Sequence, residues 1–366
     1  MVLGMREISA GSCAGNLKEK TMNKTETALA IRQKYNSKEN PVIVTYVDET
    51  ASESALDQKD FKEFFKSLPD ESSPTISVKD VGTFKITACK RSGRLAGKIV
   101  IITGSAQGFG AGMAEELLKH GCYMVYSDLN LELAKENAET VNKEYGEDAA
   151  IALGCDITDE AQVEKMIEET ILTYGGLDIF VANAGIVLSG PLTDFDLKKF
   201  DLVTKVNYTG FFICAKEATR FMKLQHELNP TLMTDIIQIN SKSGLEGSNK
   251  NFAYSGSKFG GIGLTQSFAK ELIEFGIKVN AVCPGNFYEG PLWADPETGL
   301  FVQYLKAGKV PKAKTVEDVK EFYMEKVPLH RGCYPSDVTT AILYCVEQTY
   351  ETGQAIPVTG GQNMLT

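Results

Sequence analysis

The stretch Thr103-Gly104-Ser105-Ala106-Gln107-Gly108-Phe109-Gly110 decides how this chain of 366 residues folds. It follows an apolar run at residues 98–102, which is typical of a buried strand, and precedes a helical pattern at residues 111–118. Glycines permit a tight turn and a close approach of the backbone to a ligand, and a helix N-terminus favours negative charge. Together the strand, turn and helix predict a cradle for the pyrophosphate of a dinucleotide. The candidate contacts are Gly104, Gln107, Gly108, Phe109 and Gly110.

Apolar strands and helices alternate from this point to the end of the chain. Further strands are predicted at residues 123–127, 149–153, 177–182, 235–240, 278–283 and 355–358. Helices are predicted at residues 131–145, 160–174, 205–224 and 252–275, the last of them broken by its glycines. This alternation predicts an α/β fold, a Rossmann-like doubly wound parallel sheet of about seven strands that is covered on both faces. Ligands of such sheets bind beyond the carboxyl ends of the strands.

Residues 1–94 precede this pattern and are predicted to form a small α/β extension to the catalytic domain at residues 95–366. Helices are expected at residues 25–35 and 56–68, and strands at residues 41–47, 76–78 and 83–86. The extension contains no catalytic constellation. Two interpretations of it stay open, an oligomerisation arm and the truncated remnant of a second domain.

Composition narrows the class of protein. The formal net charge of −10 argues against a nucleic-acid partner. No apolar run approaches the ~18 residues of a membrane span, and residues 1–22 lack the apolar core of a signal peptide. The eight cysteines include no C-x-x-C pair, and the three histidines lack metal-ligand spacing. Reduced thiols, no metal and a cytoplasmic location are therefore expected.

A second cluster of residues predicts chemistry on an alcohol or a ketone. Tyr254 and Lys258 are four residues apart, so they share one face of a helix. A free tyrosine has a pKa of about 10, but a nearby ammonium favours the phenolate. Tyr254 is therefore a credible proton acceptor for alcohol oxidation and a donor for carbonyl reduction. Ser241 follows the fifth strand and could hold the substrate oxygen, with Ser243 as a competing serine.

The residue that ends the second strand predicts the cofactor. Asp128 stands where a carboxylate can accept hydrogen bonds from both hydroxyls of an adenosine ribose. The same carboxylate would repel a 2′-phosphate, and Ser127, Leu129 and Asn130 supply no positive charge beside it. The sequence therefore predicts NAD as the cofactor.

The glycine turn, Asn183-Ala184-Gly185, Asn207, Ser241 and the Tyr254–Lys258 pair occur in this order, and this set resembles the short-chain dehydrogenase/reductase family over roughly residues 95–366. The resemblance implies that Ser241 rather than Ser243 is catalytic, and that Asn207 supports a water-linked proton relay to Lys258. It also implies a homotetramer or dimer packed through the helices around residues 205–224 and 252–275. Further cofactor contacts implied by the family are Asp156, Ile157, Asn183, Ala184, Gly185, Tyr254, Lys258, Pro284 and Gly285.

Residues 286–311 are expected to be irregular, and the resemblance implies that they form the substrate loop, beginning at Asn286. Phe301, Tyr304 and Leu305 are either anchors of this lid or ordinary core residues. A helix is expected to start after Thr315, because Thr315 and Asp318 fit a capping box.

Residues 236–244, 258–267 and 326–333 resemble members of the family that oxidise a hexitol phosphate. They imply the conversion of sorbitol 6-phosphate to fructose 6-phosphate with NAD. Lys242, beside Ser241 and Ser243, could meet a substrate phosphate or be a solvated loop lysine, and Lys250 and Arg331 are the next candidate cations. The alternatives are an unphosphorylated polyol or other secondary alcohol as substrate, and an NAD(H)-sensing protein without turnover.

Overall fold

The computed structural model describes residues 22–48, 55–57, 60–306 and 308–364. The prediction that residues 1–22 contain no signal peptide therefore falls on residues outside the described ones, except for Met22. The extension has the elements α1 (Lys24–Tyr35), β1 (Val42–Asp48), α2 (Phe61–Ser67), β2 (Thr75–Val78) and β3 (Gly82–Ala88). The three strands form an antiparallel sheet in the order β1-β3-β2. The strands and helices predicted for this region are present, although α2 is shorter than its apolar pattern because Leu56 forms a bridge to Val78 instead.

The central sheet has seven parallel strands, as the alternating pattern predicts. They are β4 (Ile99–Thr103), β5 (Tyr123–Asp128), β6 (Ala150–Gly154), β7 (Ile179–Ala182), β8 (Thr234–Ile239), β9 (Ile277–Pro284) and β10 (Ala355–Val358). Their order across the sheet is β10-β9-β8-β7-β4-β5-β6. The chain runs outward from β4 to β6 and then returns to β7 on the other side of β4. A crevice therefore opens between the carboxyl ends of β4 and β7.

Helices cover both faces of this sheet. They are α3 (Gly108–Leu118), α4 (Leu131–Tyr145), α5 (Glu160–Tyr174), α6 (Leu197–Thr204), α7 (Gly210–Leu228), α8 (Phe252–Leu272), α9 (Pro291–Ala294), α10 (Leu300–Lys306), α11 (Val316–Glu325) and α12 (Pro335–Glu347). Buried side chains of α3, α4 and α12 form one hydrophobic cluster with the sheet, and those of α5, α7 and α8 form another. None of the described helices is long and apolar enough to cross a membrane.

Two helix predictions need correction. The helix expected at residues 205–224 begins earlier, as α6, and passes through a π-helical turn, Lys205–Thr209, before α7. The helix expected to be broken by glycines is the continuous α8. Its Gly261 serves close packing instead, because a Cβ there would lie 2.4 Å from the Gln238 amide.

The loop region and the last helix also differ from expectation. Residues 286–311 are not wholly irregular, since they contain α9 and α10, and α11 begins at the capping box of Thr315 and Asp318 as predicted. The helix α12 is not among the predicted elements. The seven cysteines within the described residues are all free thiols, and six of them are buried.

The extension is anchored at the amino edge of the sheet, away from the crevice. Arg32 of α1 forms an ion pair with Asp178, which precedes β7, and the Nη2–Oδ2 distance is 2.7 Å. Both side chains are almost completely buried, at 1% and 2% exposure. Asp178 Oδ2 also accepts a hydrogen bond from the N–H of Ile99, at the start of β4. Residues of α1, β1 and α2 belong to the same hydrophobic cluster as α5 and α7, so the extension shares a core with the helices on one face of the central sheet.

Candidate active site

A cleft of about 950 Å³ opens at the carboxyl edge of the sheet. Its lining comes from the segments that follow β4 to β9, together with α9 and α10. Among the predicted site residues only Asn207 is absent from this lining, and it is buried, at 2% exposure. The predicted residues that line the cleft are Gly104, Gln107, Gly108, Phe109, Gly110, Asp128, Asp156, Ile157, Asn183, Ala184, Gly185, Ser241, Lys242, Ser243, Tyr254, Lys258, Pro284, Gly285 and Asn286.

The glycine turn leaves room for a dinucleotide, because a side chain at Gly104 or Gly110 would collide with the neighbouring backbone. Gly104 has a φ of 64°, and a Cβ there would lie 2.8 Å from the Cα of Ala184. A Cβ on Gly110 would lie 2.1 Å from the Gly104 carbonyl oxygen. Gln107 precedes α3 without capping it through its side chain, so the N–H groups of the first helical turn are left for a ligand. The turn therefore suits a pyrophosphate.

The side chain of Asn183 holds this turn in place. Its Nδ2 donates to the carbonyl oxygens of Thr103, at 2.8 Å, and Gly104, at 2.9 Å. The hydroxyl of Thr103 in turn accepts hydrogen bonds from the backbone N–H groups of Asn183 and Ala184, both at 3.1 Å. These bonds join the ends of β4 and β7, so Asn183 positions the cradle through the protein backbone.

Asp128 lies at the end of β5, and both of its carboxylate oxygens are held by backbone groups. Oδ2 accepts from the N–H of Ala106 at 2.9 Å, and Oδ1 accepts from the N–H of Asn130 at 2.9 Å. The carboxylate is therefore fixed beside the glycine turn, where the ribose of a bound dinucleotide would lie.

Tyr254 and Lys258 project from α8 toward Ser241, which follows β8. The Lys258 ammonium donates to the carbonyl oxygen of Ile239 at 2.8 Å and lies 5.7 Å from the centre of the Tyr254 ring. Burial lowers the pKa of Lys258 to about 8. Burial raises the pKa of Tyr254, and the hydrogen bond between Tyr254 and Ser241 acts in the opposite direction. Thus Ser241 contacts the tyrosine, whereas Ser243 donates its backbone N–H to the Ser241 hydroxyl at 3.1 Å.

Asn207 lies behind the cleft, in the π-helical turn between α6 and α7. Its Oδ1 accepts from the N–H of Ile186 at 2.9 Å, and its Nδ2 donates to the carbonyl oxygen of Ile186 at 2.9 Å and to Ser257 Oγ at 3.1 Å. A Cβ built on Gly185 would lie 3.2 Å from Asn207 Oδ1 and 3.7 Å from Lys258 Nζ. The two side chains therefore approach one small space beside Gly185.

An aromatic cluster encloses the Tyr254 end of the cleft, where a substrate would lie and which is termed the substrate end. Trp293 and Tyr304 line the cleft and pack against each other, with ring centroids 5.7 Å apart. Phe301 belongs to the same cluster and Leu305 packs against it, but neither lines the cleft, so both are core residues. Tyr304 is both a core residue and part of the cleft lining. Asn286 is turned toward Tyr288, to whose hydroxyl its Nδ2 donates at 3.2 Å.

The cations at this end agree only in part with those that the sequence suggested. Lys242 lines the cleft, but Lys250 and Arg331 do not. The guanidinium of Arg331 is bound at both nitrogens by the Asp337 carboxylate, at 2.6 and 2.9 Å. Lys309 lines the cleft instead. No motif marks Lys309 in the sequence, because it follows a glycine in a connecting segment and resembles any solvated lysine.

The sequence matches a known family whose chemistry is consistent with the residues of this cleft. Residues 98–295 match the short chain dehydrogenase family, and the chain belongs to that family. The protein is therefore a dehydrogenase that acts on CH–OH groups of a small molecule with a nicotinamide cofactor, NAD or NADP.

Within the family, the chain is similar to enzymes of one phosphorylated sugar alcohol. Sorbitol-6-phosphate 2-dehydrogenase of Escherichia coli (strain K12) is 37% identical over 271 residues, which are 73% of this chain and 99% of that protein. The crystal structure of sorbitol-6-phosphate 2-dehydrogenase SrlD from Erwinia amylovora superimposes with a TM-score of 0.67 at 39% identity, and covers 73% of this chain and 100% of that one. An uncharacterised oxidoreductase of Bacillus subtilis (strain 168) is 30% identical over 304 residues, 81% of this chain but 42% of the longer relative.

Proposed function

We propose that this protein is an NAD-dependent dehydrogenase of a hexitol phosphate, which interconverts sorbitol 6-phosphate and fructose 6-phosphate. One observation carries the proposal: Lys242, which could bind a phosphate, directly follows Ser241 and lines the same cleft as Tyr254 and Lys258. The 37% identity across 99% of a sorbitol-6-phosphate 2-dehydrogenase supports the same substrate.

In the proposed mechanism, the protein removes the proton of the substrate hydroxyl. The Ser241 hydroxyl donates a hydrogen bond to the substrate oxygen and holds it beside Tyr254, whose phenolate accepts the proton. The Lys258 ammonium stabilises that phenolate, since an opposite charge lowers the pKa of a neighbouring acid. The glycine turn and Asp128 would hold the cofactor, whose nicotinamide would supply the acceptor for the hydride on the carbon that carries the substrate hydroxyl. Tyr254 returns the proton in the direction of ketone reduction.

Asn207 is assigned to the exit of that proton. A water molecule in the space beside Gly185 would lie within reach of both Asn207 Oδ1 and Lys258 Nζ. Such a water would pass the proton from Lys258 away from the cleft. Asn207 is thus a positioning residue, held by its hydrogen bonds to Ile186 and Ser257.

NAD rather than NADP is assigned from the charges along the cleft. Asp128 supplies a fixed carboxylate at the adenosine end. The cations among the described lining residues are Lys242, Lys258 and Lys309, and all three belong to the Tyr254 end. A 2′-phosphate would therefore meet a negative charge without a compensating cation.

Turnover of a small panel of substrates tests the proposal. The rate of reduced-nicotinamide formation would be measured for sorbitol 6-phosphate and sorbitol, each with NAD and with NADP. We expect sorbitol 6-phosphate with NAD to give the highest kcat/KM, by at least about tenfold over each alternative. Equal use of sorbitol would identify a dehydrogenase of an unphosphorylated polyol. Binding of NADH without oxidation of any polyol would identify a sensor.

We also propose a homo-oligomer, a tetramer or a dimer, packed through α7, the π-helical turn before it, and α8. These elements expose large apolar side chains, including Tyr208, Phe212 and Phe259 at 36%, 44% and 46% exposure. A second copy of the chain would cover them. Light scattering on wild type and on Phe212→Glu tests this, with a monomeric wild type as the contradicting result.

A further inference from the structure

Two lysines at the substrate end of the cleft have no counter-ion. Lys242 and Lys309 both line the cleft. Neither ammonium forms an ion pair or a hydrogen bond with any residue that the structure describes. Lys309 Nζ instead lies over the ring of Tyr304, 3.8 Å from its centroid. Unpaired charges of one sign that share a cleft attract a ligand of the opposite sign.

We propose that Lys309 and Lys242 together form the subsite for the phosphate of the substrate. The inference rests on the proposed function and extends it to a second cation, which comes from a different part of the chain. Lys242 follows the end of β8, whereas Lys309 follows α10, in the segment that encloses the substrate end. An anion held between them would join these two parts of the protein.

The position of Tyr304 places this subsite near the reacting atoms. Tyr304 lines the cleft and carries Lys309 on its ring. It also lies close enough to Tyr254 to add to the effect of burial in raising the pKa of that tyrosine. The subsite and the proton-transferring oxygen of Tyr254 therefore belong to the same end of the cleft.

The carboxylates around the subsite are engaged elsewhere. Asp295 lines the cleft, but its Oδ1 accepts hydrogen bonds from the backbone N–H groups of Glu297 and Thr298 and from the Thr298 hydroxyl. The Oε2 of Glu246 accepts from Asn363 Nδ2 at 2.5 Å. Neither carboxylate is within ion-pair distance of Lys242 or Lys309. The subsite therefore keeps its positive charge for a ligand.

Repulsion among the lysines agrees with an anion site. Burial is the main cause of the lowered pKa of Lys242, and the charges of Lys326 and Lys309 add to it while Glu246 opposes it. Lys326 is exposed and lies over Phe322, 4.1 Å from the ring centroid. A bound dianion would offset this repulsion.

Matched variants on one segment test the proposal. Lys309→Met removes the charge that lines the cleft, and Lys306→Met removes an exposed charge from α10 in the same segment. We expect Lys309→Met to raise KM for sorbitol 6-phosphate about tenfold, with little change in kcat and no change in KM for sorbitol. Lys306→Met should leave all three constants at their wild-type values. Lys309→Arg should restore most of the affinity for sorbitol 6-phosphate. The proposal is overturned if Lys309→Met and Lys306→Met raise KM for sorbitol 6-phosphate equally. It is also overturned if Lys309→Met raises KM for sorbitol as much as KM for sorbitol 6-phosphate.

A binding measurement separates this inference from the proposed function. Trp293 is the single tryptophan of the chain and lines the cleft, so its fluorescence reports on this end alone. Inorganic phosphate is the probe, followed by Trp293 emission and by the phosphorus NMR line width. If wild type does not oxidise sorbitol 6-phosphate, the proposed function fails, but weaker phosphate binding in Lys309→Met than in Lys306→Met still supports the subsite. The subsite proposal is overturned if wild type and Lys309→Met bind inorganic phosphate with equal affinity.

Discussion

The two edges of the central sheet differ in how they hold buried positive charge. At the amino edge, Arg32 is 1% exposed and is paired with the Asp178 carboxylate at 2.7 Å. At the carboxyl edge, Lys258 is 5% exposed, and its ammonium donates to a backbone carbonyl oxygen rather than to a carboxylate. Burial without a counter-ion is costly, so a structural cation is normally paired. Lys258, which has no carboxylate partner, is therefore a candidate functional residue, because its charge remains available to a ligand or a reacting group.

The largest expected effect comes from breaking the pair at the amino edge. Arg32→Met leaves Asp178 buried without its main partner, which should lower the free energy of unfolding by about 3 kcal/mol or more. Chemical denaturation would measure this. The turnover of the folded fraction should be unchanged, because the pair lies at the edge opposite the cleft. Arg94→Met is the control, since the Arg94–Glu347 pair is exposed and should contribute little to the free energy of unfolding. An equal loss in both variants would contradict the structural role of Arg32.

Removal of the phenol oxygen at the carboxyl edge should abolish turnover without unfolding the protein. Tyr254→Phe loses only the group that transfers the proton, so kcat should fall by about 100-fold or more while NADH binding is retained. Steady-state kinetics and NADH fluorescence would measure both. Tyr350→Phe, at an exposed tyrosine that does not line the cleft, is the control and should remain active. If Tyr254→Phe kept more than about a tenth of the wild-type rate, the acid–base assignment would be wrong.

Lys258→Met should inactivate the enzyme and yet stabilise the protein free of cofactor. The pKa of Lys258 is lowered from 10.5 to about 8, so the charged lysine costs at most about 3 kcal/mol of stability below pH 8. Between about pH 8 and pH 10.5 the unfolded state binds more protons than the folded state. Wild-type stability therefore rises with pH in this window, and the advantage of Lys258→Met should shrink. Denaturation at pH 7 and pH 10 measures this. A variant less stable than wild type at pH 7 would show that the bond to Ile239 outweighs desolvation.

The smallest effect concerns cofactor choice. Asp128→Ala should narrow the preference for NAD over NADP, which we expect to be at least about tenfold or 1.4 kcal/mol, mainly by weakening NAD. The ratio of kcat/KM for the two cofactors measures it. Asp156→Ala is a suitable comparison, because Asp156 lines the same cleft after the next strand. Equal use of NAD and NADP by wild type would refute the assignment.

Much of the sheet and the cleft was predictable because their signals are local. Seven apolar runs gave the seven strands, and the glycine turn and the Tyr254–Lys258 spacing fixed which edge carries the site. The π-helical turn at Asn207 was not predictable, since the partners of Asn207 are distant in the sequence: Ile186 after β7 and Ser257 in α8. Lys309 was missed for the same reason. Its position in the cleft is set by contacts with Tyr304, and nothing in its sequence neighbours distinguishes it from Lys250.

We propose that the unpaired positive charge at the carboxyl edge binds a phosphorylated alcohol. One measurement tests this proposal: the ratio of kcat/KM for sorbitol 6-phosphate to that for sorbitol, measured with NAD for wild type and for Lys242→Ala. A charge-assisted hydrogen bond is worth about 1.5–3 kcal/mol. We therefore predict that wild type strongly prefers the phosphate ester, and that Lys242→Ala lowers the ratio roughly ten- to hundredfold by raising KM for the ester alone. A wild-type enzyme that oxidises both substrates equally well would contradict the claim.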